Sequence, residues 1–340
     1  MSNQGSDRWS RREFLNTVTL AGAGTLLGLR SAAFAAEPPP EIKKIRLIQI
    51  PGICLAPMYV AEELLRSEGF TDVQYVKKPS TAFIPTTLAA GETDIVMGFA
   101  PSYIMQLDAG DPVVVLAGVH AGCYELFGTD RVRAVRDLKG KRVAVPELGS
   151  THHLFLSMIV AYVGLDPRKE IQWVTRPPVE AKQMLANGEI DAYMGFPPDP
   201  QELRAKKIGN VVMNSAVDRP WSQYFCCMVV GNREFVRKNP VATKRAIRAI
   251  LKADQVCALE PDRIGRLLVD NGYTKSYDYA LQAMKDVPYG KWSVYDPEDT
   301  LRFYALRLHE VGMIKKSPKQ IIAQGTDWRF LRELKKELKA

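Results

Sequence analysis

A phrase of fourteen residues occurs twice in this chain and restricts what the chain can fold into. The first copy, residues 88–101, is LAAGETDIVMGFAP, and the second, residues 185–198, is LANGEIDAYMGFPP. Each copy predicts the end of a helix, a glycine where the helix stops, an acidic turn and a short buried strand. Because open α/β sheets bind ligands at the carboxyl ends of their strands, the phenylalanine that ends each strand is expected at a cleft. The repeat therefore predicts two similar lobes that face one another. The alternative is a single α/β domain in which the two segments are similar by chance.

The N-terminus has the pattern of a twin-arginine export signal. An arginine pair at 11–12 precedes an apolar stretch at 18–29, and an A-x-A cleavage site follows at 33–35. The apolar stretch is shorter than the roughly 20 residues that a membrane span needs. We expect residues 1–35 to be a cleaved signal peptide, residues 36–41 to be a Pro-rich tether, and the mature protein to lie in the periplasm without a direct membrane anchor. An uncleaved amphipathic helix is the alternative.

Composition and charge favour a globular binding protein over a nucleic-acid-binding one. Four of the 46 basic and two of the 38 acidic residues lie in the first 35 positions, so the net charge of +8 falls to +6 in the mature chain. The densest basic run, residues 329–339, contains two glutamates at helical spacing and is typical of a solvated helix face. A hydrophobic fraction of 46% supports two compact lobes. We expect no nucleic-acid partner and a monomer.

Strand and helix patterns alternate from residue 45 to residue 195, which predicts a mostly parallel sheet with helices on both faces. The pattern changes near residues 130–137 and 218–224, where the chain is expected to cross between lobes. These crossings place lobe 1 at residues 42–130 and 224–340 and lobe 2 at residues 131–223. The fold class predicted is therefore α/β, with two lobes joined by a two-strand hinge.

The five cysteines have neither C-x-x-C pairing nor a zinc-ligand spacing, so we expect no metal and no cofactor. They are Cys54, Cys123, Cys226, Cys227 and Cys257. An oxidising periplasm permits a disulfide, but an odd count leaves at least one thiol. Cys226 and Cys227 are adjacent in a predicted strand, so their side chains are expected on opposite faces.

Several phrases together resemble one family, the solute-binding proteins of nitrate, sulfonate, taurine and thiamine-precursor ABC importers. They include Ala56-Pro57-Met58-Tyr59-Val60-Ala61, Asp137-Leu138-Lys139-Gly140-Lys141-Arg142-Val143-Ala144-Val145, Gly149-Ser150-Thr151-His152 and both copies of the repeat, and they cover roughly residues 45–235. The resemblance implies a type II periplasmic binding protein fold. It also implies a non-enzymatic function, in which a small-molecule solute is delivered to an inner-membrane ABC permease and ATPase.

Eleven residues are predicted to bind the solute. They are Cys54, Phe99, Ser102, Glu125, Ser150, Thr151, His152, Phe196, Pro198, Trp221 and Tyr224. Phe99 and Phe196 end the two repeat strands, and Ser150 and Thr151 begin a helix whose free N–H groups suit an anionic or electronegative group. The aromatic residues favour a flat or partly apolar organic solute, either sulfonate-like or an aromatic or heterocyclic nitrogen compound.

Several of these residues also have a purely structural interpretation. Ser150 could simply cap its helix, Glu125 could be a paired or edge-exposed carboxylate, and each aromatic ring could be core packing. Two other functions also remain open: an enzyme that resembles the eukaryotic thiamine-pyrimidine synthase on the same fold, and a periplasmic sensor lobe. The short Cys226-Cys227 pair and the absence of a convincing lysine for pyridoxal phosphate argue against the enzyme.

Overall fold

The protein has two layers of five strands, with helices beside the strands. The structure is a computed structural model that describes residues 37–50 and 52–338. The predicted signal peptide lies outside the described residues. Of the tether, residues 37–41 are described and form neither helix nor strand apart from a bend. Among the described residues, none of the helices combines the length and the apolarity needed to cross a bilayer.

The strands are β1 (Lys44–Gln49), β2 (Asp72–Lys77), β3 (Ile95–Phe99), β4 (Val113–Ala121), β5 (Glu125–Gly128), β6 (Arg142–Val145), β7 (Gln172–Thr175), β8 (Ala192–Gly195), β9 (Asn210–Asn214) and β10 (Phe225–Asn232). The helices are α1 (Ala56–Ser67), α2 (Phe83–Ala89), α3 (Ala100–Ala109), α4 (Thr151–Tyr162), α5 (Pro178–Ala186), α6 (Asp199–Ala205), α7 (Arg233–Lys238), α8 (Pro240–Leu259), α9 (Pro261–Asp270), α10 (Tyr277–Asp286), α11 (Pro297–Glu310), α12 (Pro318–Gly325) and α13 (Arg329–Glu337).

The two layers have the same strand order. In the first, β2 pairs with β1, and β3, β10 and β4 are hydrogen-bonded in that order. The Asp94 N–H donates to the Arg46 carbonyl at 2.8 Å, which places β1 beside β3. In the second, the order is β7-β6-β8-β5-β9. In each layer the strands can be numbered in chain order, leaving aside the one strand that the chain reaches from the other layer. That strand is β10 in the first layer and β5 in the second, and in both layers it lies between the third and the fourth strand.

The crossing strands make both layers mixed instead of mostly parallel. β10 runs antiparallel to β3 and β4, and β5 runs antiparallel to β8 and β9. The pairs β1–β2, β6–β7 and β6–β8 are parallel, as the strand–helix alternation predicts.

The repeated phrase has the same local structure in both copies. Gly91 and Gly188 each have φ of +71°, a left-handed conformation that glycine adopts without a steric penalty. Asp94 then accepts a hydrogen bond from the backbone N–H of Arg46 on β1 at 2.7 Å, and Asp191 accepts the equivalent bond from Arg142 on β6 at 2.9 Å. Each aspartate therefore joins the turn before its strand to the first strand of its own layer.

Candidate functional site

A small cavity lies where the two repeat strands end. Its volume is about 20 Å³, close to the space that one water molecule needs. Its lining comes from both layers and is mostly apolar or hydroxyl-bearing: Ile50, Cys54, Leu55, Thr81, Ile84, Pro85, Gly98, Phe99, Ser102, Tyr103, Tyr124, Thr151 and Phe196. Neither a lysine nor an arginine is among these lining residues.

Phe99 and Phe196 both line this cavity, with Tyr124 between them. The ring centroid of Tyr124 lies 5.2 Å from that of Phe99 and 5.6 Å from that of Phe196. Such tilted and edge-on contacts are the favoured geometry for aromatic pairs. Tyr124 lies on the segment that connects β4 in the first layer to β5 in the second, so a residue between the two layers completes the aromatic wall.

Contacts across the cavity join the two layers. Phe196 approaches the loop after β1 so closely that a Cβ atom on Gly52 would lie 3.1 Å from its ring. The Ile53 N–H donates to the Pro197 carbonyl at 3.4 Å, and the hydroxyls of Thr81 and Thr151 are 3.5 Å apart. The cleft is therefore closed in this structure.

The first turn of α4 forms the polar side of the cavity. Ser150 is the N-cap of this helix: its Oγ accepts from the His153 N–H at 3.3 Å and donates to the Glu147 carbonyl at 2.7 Å. The Thr151 hydroxyl accepts a hydrogen bond from the Tyr124 hydroxyl at 2.7 Å, so its own proton can be donated to Thr81 or His152, each 3.5 Å away, or to a ligand. Ser150 thus caps the helix, which was the alternative to a role in binding, while Thr151 presents a hydroxyl to the cavity.

The Tyr103 hydroxyl is a second polar group at the cavity wall. It is buried and has no hydrogen-bond partner among the described residues. A Cβ atom on Gly98 would lie 2.6 Å from this hydroxyl, so only glycine at position 98 lets the ring approach the strand. A buried hydroxyl without a partner costs free energy, which a ligand acceptor would recover.

A wider groove of about 460 Å³ adjoins the cavity and shares four lining residues with it, Thr81, Pro85, Ser102 and Thr151. Ser150 also lines this groove. The shared residues mean that a solute with one end in the cavity could extend past α4.

The other predicted site residues lie around the cavity or away from it. His152 does not line the cavity, but its ring is 5.2 Å from that of Phe196, and burial lowers its pKa to about 3, so the ring is neutral. Pro198 follows a cis peptide bond and is the N-cap residue of α6. Trp221 and Tyr224 pack with α11 outside the cavity lining; Tyr224 stacks on Phe303 at 3.9 Å.

Glu125 is a paired carboxylate. Its Oε1 atom accepts from Arg204 at 2.7 Å, and Arg204 also forms an ion pair with Asp286 on α10. Burial raises the pKa of Glu125 to about 7, Arg204 lowers it and Asp286 raises it further. Glu125 therefore belongs to an ion-pair network that joins β5 and α6 to α10, and it is absent from the cavity lining.

Sequence reasoning missed Tyr124, Thr81 and the Ile84-Pro85 pair. The sequence predicts a strand at about residues 124–128, whereas Tyr124 lies just before β5, and nothing in the local pattern indicates that its ring turns toward both repeat ends. Thr81 lies just before α2, and Ile84 and Pro85 lie in its first turn, far from α4 in the sequence. The closed cleft brings the Thr81 hydroxyl to 3.5 Å from that of Thr151.

Comparisons with known proteins agree with this geometry. Residues 38–266 match the model of the NMT1-like family. The nitrate/nitrite binding protein NrtA of Nostoc sp. PCC 7120 is 23% identical over 334 residues, which cover 83% of this chain and 75% of the relative. The taurine-binding periplasmic protein of Escherichia coli K12 is 25% identical over 204 residues, which cover 59% of this chain and 62% of the relative.

The same fold occurs in a solved structure. The crystal structure of the periplasmic nitrate-binding protein NrtA from Synechocystis PCC 6803 superposes with a TM-score of 0.74 at 17% identity, covering 88% of this chain and 90% of that one. This likeness confirms the predicted α/β periplasmic binding protein fold with two lobes. The relatives named are binding proteins, which does not favour the enzyme.

Proposed function

Because the chain belongs to the NMT1-like family, we propose that it is the substrate-binding component of an ABC importer. In this function it captures a small organic solute in the cleft and delivers it to an inner-membrane permease and ATPase. The relatives named for nitrate, nitrite and taurine binding support the class of function, and the cavity described above supports the site.

One observation carries the proposal: the ends of the two repeat strands meet at one cavity. Phe99 and Phe196 supply equivalent rings from the two layers, and Tyr103 and Thr151 supply hydroxyl donors between them. A pocket with aromatic walls and a few convergent polar groups is the usual form of a small-molecule site. A solute held between the rings would contact both layers only when the cleft is closed.

The lining favours a solute with a flat or apolar body and one electronegative end. Aromatic rings suit the body, and the hydroxyls with the start of α4 suit a sulfonate-like group or a heterocyclic nitrogen. An inorganic anion that loses all its water usually attracts an arginine fork, and the described lining has no arginine. We therefore propose an organic solute.

We place the two lobes by sheet membership. One lobe contains β1–β4 and β10 with the C-terminal helices, and the other contains β5–β9. The chain then crosses between the lobes at residues 122–124 and again at residues 215–224. We therefore propose a first crossing nearer the N-terminus than the interval 130–137 suggested by the sequence pattern; the pairing of Glu125–Gly128 with β8 and β9 supports this.

We propose the periplasm as the location, by export through the twin-arginine pattern. Replacing Arg11 and Arg12 by lysine should keep the protein in the cytoplasm when cell fractions are compared by immunoblot. Arg30→Lys, in the same N-terminal segment but outside the pair, is the matched control and should be exported normally. Unimpaired export of the Arg11→Lys, Arg12→Lys double variant would show that the signal is of another kind.

The proposed function is tested by the solute that the protein carries. The protein is purified from periplasm without denaturant, then denatured, and the released molecules are identified by mass spectrometry. We expect one small organic molecule in proportion to the protein, and rebinding without turnover when it is added to the refolded protein. Chemical conversion of that molecule would favour the enzyme instead.

A further inference from the structure

Five buried side chains with metal-binding atoms meet beneath the cavity, at residues far apart in the sequence. They form two overlapping groups, one of Cys54, His120 and Cys123 and one of His120, Cys226 and Cys227. Within each group the sulfur and nitrogen atoms lie within 4.8 Å of one another. All five residues are buried, with at most 6% of their surface exposed.

The backbone of β10 explains how two consecutive cysteines reach one site. Cys227 is opposite His120 on β4, and the register shifts on both sides of Cys227, as at a β-bulge. A regular strand would direct the Cys226 and Cys227 side chains to opposite faces, as the sequence predicts. That prediction is wrong here: the two Sγ atoms are 4.0 Å apart, and Cys226 Sγ is also 3.4 Å from Cys123 Sγ.

His120 is held in one tautomer, which leaves a ring nitrogen with a lone pair for a metal ion. Its Nδ1 atom lies 2.6 Å from the Ala121 carbonyl oxygen, which can only accept, so Nδ1 carries the proton and donates it. The lone pair is therefore on Nε2, which is buried and has no hydrogen-bond partner among the described residues. Metal-binding histidines are oriented in this way, with the second ring nitrogen bonded to a backbone carbonyl.

We propose that this cluster binds a thiophilic metal ion with a filled d shell, Zn²⁺ or Cu⁺. Soft thiolates with imidazole select these ions, and neither group contains the carboxylate oxygens that Mg²⁺ or Ca²⁺ prefers. A tetrahedral ion with Zn–S bonds of about 2.3 Å separates its sulfur ligands by about 3.8 Å. The distances from Cys226 Sγ to the sulfur atoms of Cys123 and Cys227 bracket this value. The other donor atoms lie within 4.8 Å of one another inside each group, so a bound ion would draw them closer. Each thiol that binds releases its proton to solvent.

The site goes beyond solute capture and beyond the sequence prediction of no metal. That prediction rested on spacing, and the ligands are split among the loop after β1, the end of β4, the first crossing and the start of β10. Cys54 also lines the cavity. A bound metal would therefore join the cavity lining to the end of β4 and the start of β10.

The test uses untagged mature protein, reduced and freed of metal. It is titrated separately with Zn²⁺ and with Cu⁺, each in competition with a chromophoric chelator, and the bound metal is counted by elemental analysis. We expect one equivalent of at least one of the two ions, and the metal found in protein isolated from the periplasm identifies the natural one. The variant Cys226→Ala should weaken binding at least tenfold, whereas Cys257→Ala should not, because Cys257 is a buried thiol outside both groups.

Three results would overturn the proposal. The first is that reduced wild-type protein retains neither ion against the chelator. The second is that Cys226→Ala and wild type bind equally. The third is that protein isolated from the periplasm contains a stoichiometric Cys123–Cys226 disulfide and no metal. Should Cys226→Ala fail to fold, X-ray absorption of the wild-type complex decides: sulfur ligands with one imidazole support the site, and oxygen ligands alone contradict it.

Discussion

The side chain of Phe196 contributes to the site from the end of the second repeat strand, where it contacts Tyr124, His152 and the loop at Gly52. Aromatic contacts add about 0.5–1.5 kcal/mol beyond the apolar area that they bury. We expect Phe196→Ala to weaken binding of the identified solute about tenfold or more in calorimetric titration. Val179→Ala, an apolar truncation at a position 79% exposed and outside the cavity lining, is the control and should bind like wild type. Equal affinity for the Phe196→Ala variant and wild type would remove this ring from the site.

Glu125 gives the protein a specific dependence of stability on pH. Its pKa is about 7 in the folded protein against an ordinary value of 4.5, so the folded state binds the proton more tightly. Its contribution is therefore fully present below about pH 4.5 and is lost as pH rises to about 7, at about 1.4 kcal/mol per pKa unit. Glu125→Gln removes this loss.

Urea unfolding across that pH range measures the effect. The free energy of unfolding of Glu125→Gln should rise relative to that of wild type as pH increases, by up to about 3 kcal/mol. Gln201→Ala, which alters the same cluster without a titrating group, should give a near-constant offset. Parallel curves for Glu125→Gln and wild type would contradict the raised pKa.

At the scale of elements, the two repeat aspartates should have matching roles. Asp94 and Asp191 each bond a backbone N–H of the first strand in their own layer. Hydrogen bonds to a charged group contribute about 1.5–3 kcal/mol, and truncation also leaves the N–H unpaired. Asp94→Ala and Asp191→Ala should therefore each lower the unfolding free energy by about 1.5–3 kcal/mol.

The neighbouring glutamates of the same turns provide the controls. Glu92 and Glu189 are exposed, so their alanine variants should change stability by about 1 kcal/mol or less in the same denaturant experiment. If the aspartate variants were no less stable than the glutamate variants, the repeated phrase would have no structural role in either layer.

Some features of the fold and the site could be predicted from short sequence patterns, and others depend on residues far apart in the chain. Helix ends, the buried repeat strands and the pairing of Phe99 with Phe196 at one cavity follow from short patterns. β9 was missed because Asn210–Asn214 begins and ends with asparagine, a residue that is depleted in strands. The partner of Glu125 and the cysteine cluster depend on residues about 80 to 100 positions apart, which only tertiary packing brings together.

In the molecule as a whole, capture of a solute requires that the two lobes open and close. The described structure has a closed cleft with a cavity of about 20 Å³, which is too small to hold an organic solute, so the cleft must widen to accept one. A ligand that gains contacts only in the closed form shifts the population toward it. The closed form would then be what the permease recognises, which couples capture to delivery.

Small-angle X-ray scattering with and without the identified solute tests this central claim most directly. We expect solute-free protein to have a larger radius of gyration than the closed structure. Saturation with solute should reduce the radius toward the value calculated from that structure. In the Phe196→Ala variant the same reduction should require at least tenfold more solute. A radius of gyration that does not change on saturation would mean a rigid pocket and would contradict capture by closure.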